Sequence, residues 1–101
     1  MASRVVAIHP LAAKEAMLAY RWYWRRSQGT AAHFNQAVQT ALREISADAE
    51  RGSPYGAFVR WLRVRGFPYL IYYEIRDPLP VLVYAIAHAR RKPGYWLRRR
   101  K

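Results

Sequence analysis

The 101 residues make one small domain, and a hydrophobic fraction of 52% is enough for one core with no room for a second. There is no cysteine, which excludes disulfide scaffolds, zinc fingers, iron–sulfur sites and thiol nucleophiles. Eighteen Lys+Arg against six Asp+Glu give a net charge of +12, which implies a polyanionic partner.

Arg4 to His9 is a short β-forming run stopped by Pro10, which suits the first position of a helix because its missing N–H costs nothing there. From Pro10 to Arg26 the pattern is helical, with Ala13, Ala16, Met17, Tyr20 and Trp24 spaced as one apolar face. Lys14, Glu15, Arg21 and Arg25 fall elsewhere around the wheel. Gln28-Gly29-Thr30 breaks the run, with Gly29 as a helix C-cap and Thr30 as the next N-cap. Phe34, Ala37, Val38, Ala41, Leu42 and Ile45 then form a full apolar stripe, so the two helices make an antiparallel hairpin.

Residues 48–57 read as a loop. After it β-formers dominate: a strand from Phe58 to Arg65, a turn at Gly66-Phe67-Pro68, and a strand from Tyr69 to Arg76. Asp77-Pro78-Leu79-Pro80 is a further turn, and Val81 to His88 is the last strand. That strand is apolar on both sides, as expected in the middle of a sheet covered on both faces. Lys92-Pro93-Gly94 ends regular structure, and about 97–101 is expected to be a flexible basic tail. The expected fold is a single α+β domain over 1–101 in the order β-α-α-β-β-β. The N-terminal strand and helical hairpin pack on one face of a mostly antiparallel, four-stranded twisted sheet.

The longest apolar run, Val81 to Ala87, is far shorter than the ~20 residues of a membrane span. The N-terminus lacks a signal peptide's apolar core, so a cytoplasmic protein without a membrane partner is expected. His9, His33 and His88 fall in three separate elements without metal-ligand spacing, and no metal or other cofactor is expected. No serine stands in a nucleophile elbow, the carboxylates are not paired, and the five glycines are scattered singly.

What remains is a constellation of arginine and aromatic residues. Residues 1–50 carry +2 and residues 51–101 carry +10, and fifteen of the eighteen cations are Arg, whose planar fork matches phosphate. Period-2 alternation puts Trp61, Arg63 and Arg65 on one face of their strand. His88, Arg90, Arg91, Tyr95 and Trp96 follow the last strand, and the two groups meet if strands 58–65 and 81–88 lie close together. Such a surface holds splayed RNA bases. It also cleaves RNA without metal if arginine stabilises the phosphate charge while a tyrosine, its pKa lowered by nearby arginine, takes the 2′-hydroxyl proton. The alternatives are a solvated strand face and a Tyr95-Trp96 pair that pins the C-terminus to the core.

Several segments together resemble the RelE/ParE superfamily of bacterial type II toxins, in its ParE-like plasmid-stabilisation branch. They are His9-Pro10, Trp22-Tyr23, Phe34 with the Val38, Leu42 and Ile45 stripe, Phe67-Pro68-Tyr69-Leu70-Ile71-Tyr72-Tyr73, and the ending from Ala85 through His88-Ala89-Arg90-Arg91-Lys92-Pro93-Gly94 to Tyr95-Trp96. The resemblance implies a growth-inhibiting toxin neutralised by a cognate acidic antitoxin, with operator DNA contacted only through that antitoxin. It leaves two targets open. Ribosome-dependent relatives cut mRNA, for which Arg65, Arg90, Arg91 and Tyr95 are this chain's catalytic candidates, with Arg60, Trp61, Arg63, His88 and Trp96 as RNA- or partner-binding residues. ParE-branch relatives poison DNA gyrase instead and cut no RNA. The remaining alternative is a non-toxic nucleic-acid-binding module or a decayed toxin.

Overall fold

The computed structural model describes residues 3–76 and 80–100. Strand β1 (Val6–Ile8) is followed by helices α1 (Pro10–Trp24) and α2 (Gln28–Ala47), then by β2 (Ser53–Tyr55), β3 (Val59–Val64), β4 (Tyr69–Ile75) and β5 (Val81–His88). The sheet order is β1-β5-β4-β3-β2, with β1 parallel to β5 and every other pairing antiparallel. The sheet therefore has five strands rather than the four expected. The strand missed is β2, inside the stretch read as a loop. Its Ser53-Pro54-Tyr55 pairs with Val59–Trp61 around Gly56, whose φ of 67° suits a tight turn. Pro54 is tolerated because β2 is an edge strand. Most of the turn expected at 77–80 lies outside the described residues.

Local chemistry sets both helix starts. His9 Nδ1 accepts the Leu11 N–H at 3.1 Å, ahead of Pro10 at the first helical position. Ser27, not Thr30, caps α2: its Oγ accepts the Thr30 N–H at 3.2 Å, which puts Gly29 and Thr30 inside the first turn. The α2 stripe packs as expected, with Phe34, Val38, Ala41 and Ile45 buried and Ala37 and Leu42 partly so. Burial of a Phe or Ile side chain of this kind contributes about 1.5–3 kcal/mol.

Helix α1 is turned from the expected face. Ala12 and Ala19 are its buried residues, with Ala16, Tyr20 and Tyr23 packed beside them, while Ala13, Met17 and Trp24 are exposed. The physical reason is closeness: small side chains let α1 lie directly on the sheet, and its bulky residues are left facing outward.

Strand β5 lies second from one edge, with β4 at the centre, yet it is buried on both faces as its composition implied. Tyr72 pairs with Ala85 and Tyr73 with Val83, leaving Tyr84 as the extra residue of a β-bulge. Below the bulge Val81 and Val83 join the helix-side core, and above it Ile86 does; Tyr84, Ala85 and Ala87 face the other way. That second face is covered by the chain's own C-terminal segment, with Trp96 at the centre of its apolar cluster. Of the stretch 97–101, Leu97–Arg99 forms a 3-10 turn, and Lys101 lies outside the described residues. No helix among the described residues is long and apolar enough to cross a membrane.

Candidate functional site

Because β1 is only three residues long, its pairing with β5 ends at Val83 and leaves the next part of that edge open. Side chains take the place of the missing strand. Glu15 of α1 accepts the Ile86 N–H on Oε1 at 3.0 Å, and Arg99 donates to the Tyr84 carbonyl at 2.9 Å. Glu15 also accepts the Tyr95 hydroxyl at 2.6 Å and both terminal nitrogens of Arg99 at 3.1 Å, with Arg91 at 3.6 Å. A partly buried carboxylate that accepts this many donors fixes the groups that reach it. A second carboxylate, Glu74, organises the other side of the C-terminal segment. It accepts Arg100 through two bonds of 2.6 and 3.0 Å and the Tyr84 hydroxyl at 2.9 Å. The Arg100 hydrogen bonds are the largest cause holding the Glu74 pKa below its ordinary range.

Beside Glu15 a groove of about 630 Å³ runs between α1 and the ends of β4 and β5. Leu18, Trp22, Tyr23, Pro68, Tyr69 and Ile86 make it apolar, and His88 and Arg91 stand at its rim. Leu18 and Trp22 remain about half exposed, at 49% and 51%. Large apolar side chains left open next to cations mark a surface built for a partner.

The candidate residues do not form a single cluster. Arg91 and Tyr95 do meet: the guanidinium lies 3.4 Å from the ring centroid, and both reach Glu15. His88 stands edge-on to Tyr69 at 5.2 Å, and its Nδ1 accepts the Arg90 N–H at 3.1 Å. The Arg90 side chain is exposed. Trp61 belongs to the apolar cluster around Trp96, and strand alternation puts Arg63 on the same face. Arg65 departs from that grouping: it lies beyond the end of β3 and pairs with Glu44 of α2 at 3.3 Å. Arg60 braces the chain before β2, donating to the carbonyls of Glu50 at 3.1 Å and Gly52 at 2.9 Å. Strand β4 separates β3 from β5, so the two arginine groups are not neighbours in the sheet.

Two expectations about the aromatic residues are corrected. Trp96 is fully buried, 4.8 Å from Tyr72 and 5.4 Å from Tyr55 between ring centroids, and has no surface for a base to stack on. The Tyr95 phenol is not more acidic than usual, because the lowering by Arg91 and Arg99 is outweighed. Burial raises its pKa first, and the Glu15 carboxylate that accepts its proton raises it further. In the helical pattern Glu15 counts as one more polar residue. Its position beside Ala12, Ala16 and Ala19 on the sheet-facing side was the only available signal of its role.

No curated protein matches the sequence. The profile of the family described as ParE toxin of type II toxin-antitoxin system, parDE, matches residues 6–93 and so takes in both helices, the whole sheet and the groove. The chain therefore belongs to the ParE toxin family.

Proposed function

We propose that this chain inhibits growth by binding a protein target, DNA gyrase, and not by cutting RNA. ParE-family toxins pair with an antitoxin, and here an acidic antitoxin segment lays apolar side chains into the groove beside α1 while its carboxylates meet Arg91 at the rim. The observation carrying this reading is the 2.6 Å bond from the Tyr95 hydroxyl to Glu15. A tyrosine acting as general base has to lose its proton, and a carboxylate accepting that proton opposes the loss. Gyrase is the target that the ParE-branch resemblance implies.

Primer extension on a reporter message in a purified translation system tests the choice. The message stays whole with the native chain, and Tyr95→Phe inhibits growth in cells as strongly as the native sequence does. Discrete ribosome-dependent cuts that vanish in Tyr95→Phe overturn the reading in favour of an mRNA endonuclease.

A further inference from the structure

Six of the eighteen cations of this chain gather at one end of the molecule. Val64, Tyr69 and His88 lie in register at the ends of β3, β4 and β5, and the Ala89 N–H bonds the Pro68 carbonyl at 2.8 Å just beyond them. The end of α1 arrives at the same place, with Tyr23 against Phe67 at 5.1 Å and Tyr69 at 6.4 Å. Exposed Arg25, Arg26, Arg63, Arg65, Arg90 and Lys92 therefore gather there from three separate parts of the chain.

Among the described residues, negative charge is kept away from this pole. Residues 16–43, 51–73 and 78–101 contain no Asp or Glu. Glu15 and Glu74 are turned inward and held by Arg99 and Arg100, and Glu44 offsets only Arg65. Asp48 precedes and Glu50 lies within the 3-10 turn Ala49–Arg51, where the Tyr73 hydroxyl bonds the Ala49 carbonyl at 2.8 Å, near the opposite end of β4. None of the six polar-end cations lines the groove, so the pole stays open when the groove is filled. One indole outside the groove stands beside it, Trp24, 48% exposed.

We propose that this pole binds the phosphodiester backbone of nucleic acid without base-sequence preference. Guanidinium forks spread over an end where no described carboxylate stands uncompensated match a repeating phosphate chain. The exposed Trp24 indole next to them offers a flat surface to an unpaired base. An acidic protein segment would be expected in the groove, where charge and apolar surface occur together. The proposal stands whether or not gyrase is the toxin's target.

The test is fluorescence anisotropy of the full chain with labelled duplex DNA, single-stranded DNA and single-stranded RNA of equal length, across a salt series. Binding is expected to weaken with salt at a log–log slope of about −0.9 per phosphate contacted on duplex, or about −0.7 on single strands. The triple variant Arg25→Ala, Arg90→Ala, Lys92→Ala shortens that slope by about that amount for each contact removed. Arg51→Ala, at the far end, leaves it unchanged. A preference for DNA or for RNA identifies the source of the backbone. Three results overturn the proposal: no salt-dependent binding, a slope that the triple variant does not alter, or competition by poly-glutamate as effective as by unlabelled DNA. Unchanged thermal unfolding of the variants keeps these readings separate from a folding defect.

Discussion

Glu15 and Arg99 stand 84 residues apart in sequence and form two hydrogen bonds of 3.1 Å, with side chains only 14% and 10% exposed. Truncating the carboxylate leaves a buried guanidinium, the Tyr95 hydroxyl and the Ile86 N–H without their acceptor. Glu15→Ala is therefore expected to lower the unfolding free energy by about 2–4 kcal/mol, measured by urea denaturation. Glu74 makes stability depend on pH. Its carboxyl binds protons less readily in the folded chain than in the unfolded one, chiefly because of Arg100. Its contribution is complete above the unfolded value, near 4.5, and is lost as pH falls through the lower folded value. Urea midpoints taken downward from neutral pH should start to fall below about pH 5, and Glu74→Gln should flatten part of that fall.

At the scale of elements, periodicity gave what depends on one face of one element and missed what depends on another part of the chain. The α2 stripe was legible because Phe34, Val38, Ala41 and Ile45 meet the sheet at regular spacing. The turn of α1 was not, because the packing distance set by Ala12 and Ala19 outweighed the spacing of its larger side chains. Strand β2 was hidden by Gly52, Ser53 and Pro54, which read as loop residues without a partner in view. A tertiary contact makes Gly52 necessary: a Cβ there would meet the Tyr73 hydroxyl and come within 2.9 Å of the Trp61 carbonyl. The Gly52 N–H itself bonds that hydroxyl at 2.9 Å. Gly52→Ala should cost about 1–3 kcal/mol through overpacking. Hydrogen exchange should speed up in β2 and at Ala49 first, with the helical hairpin little changed.

Over the whole molecule, the helices close one face of the sheet and residues 95–100 close the other. The ending that suggested catalysis from its residue types is used for attachment: Trp96 fills the second apolar cluster, while Tyr95, Arg99 and Arg100 reach the two inward carboxylates. His88 ends β5 and Arg91 follows three residues later, and both line the groove. Only its place beside the small residues of α1 hints at Glu15, whose partners lie 71 to 84 positions away. With its tyrosine tied to a carboxylate, the molecule offers a partner a groove and a charged rim. The most direct measurement is supercoiling of relaxed plasmid by purified DNA gyrase with increasing amounts of this chain. The account predicts loss of supercoiling and accumulation of cleaved plasmid; full gyrase activity at an excess of folded chain would contradict it.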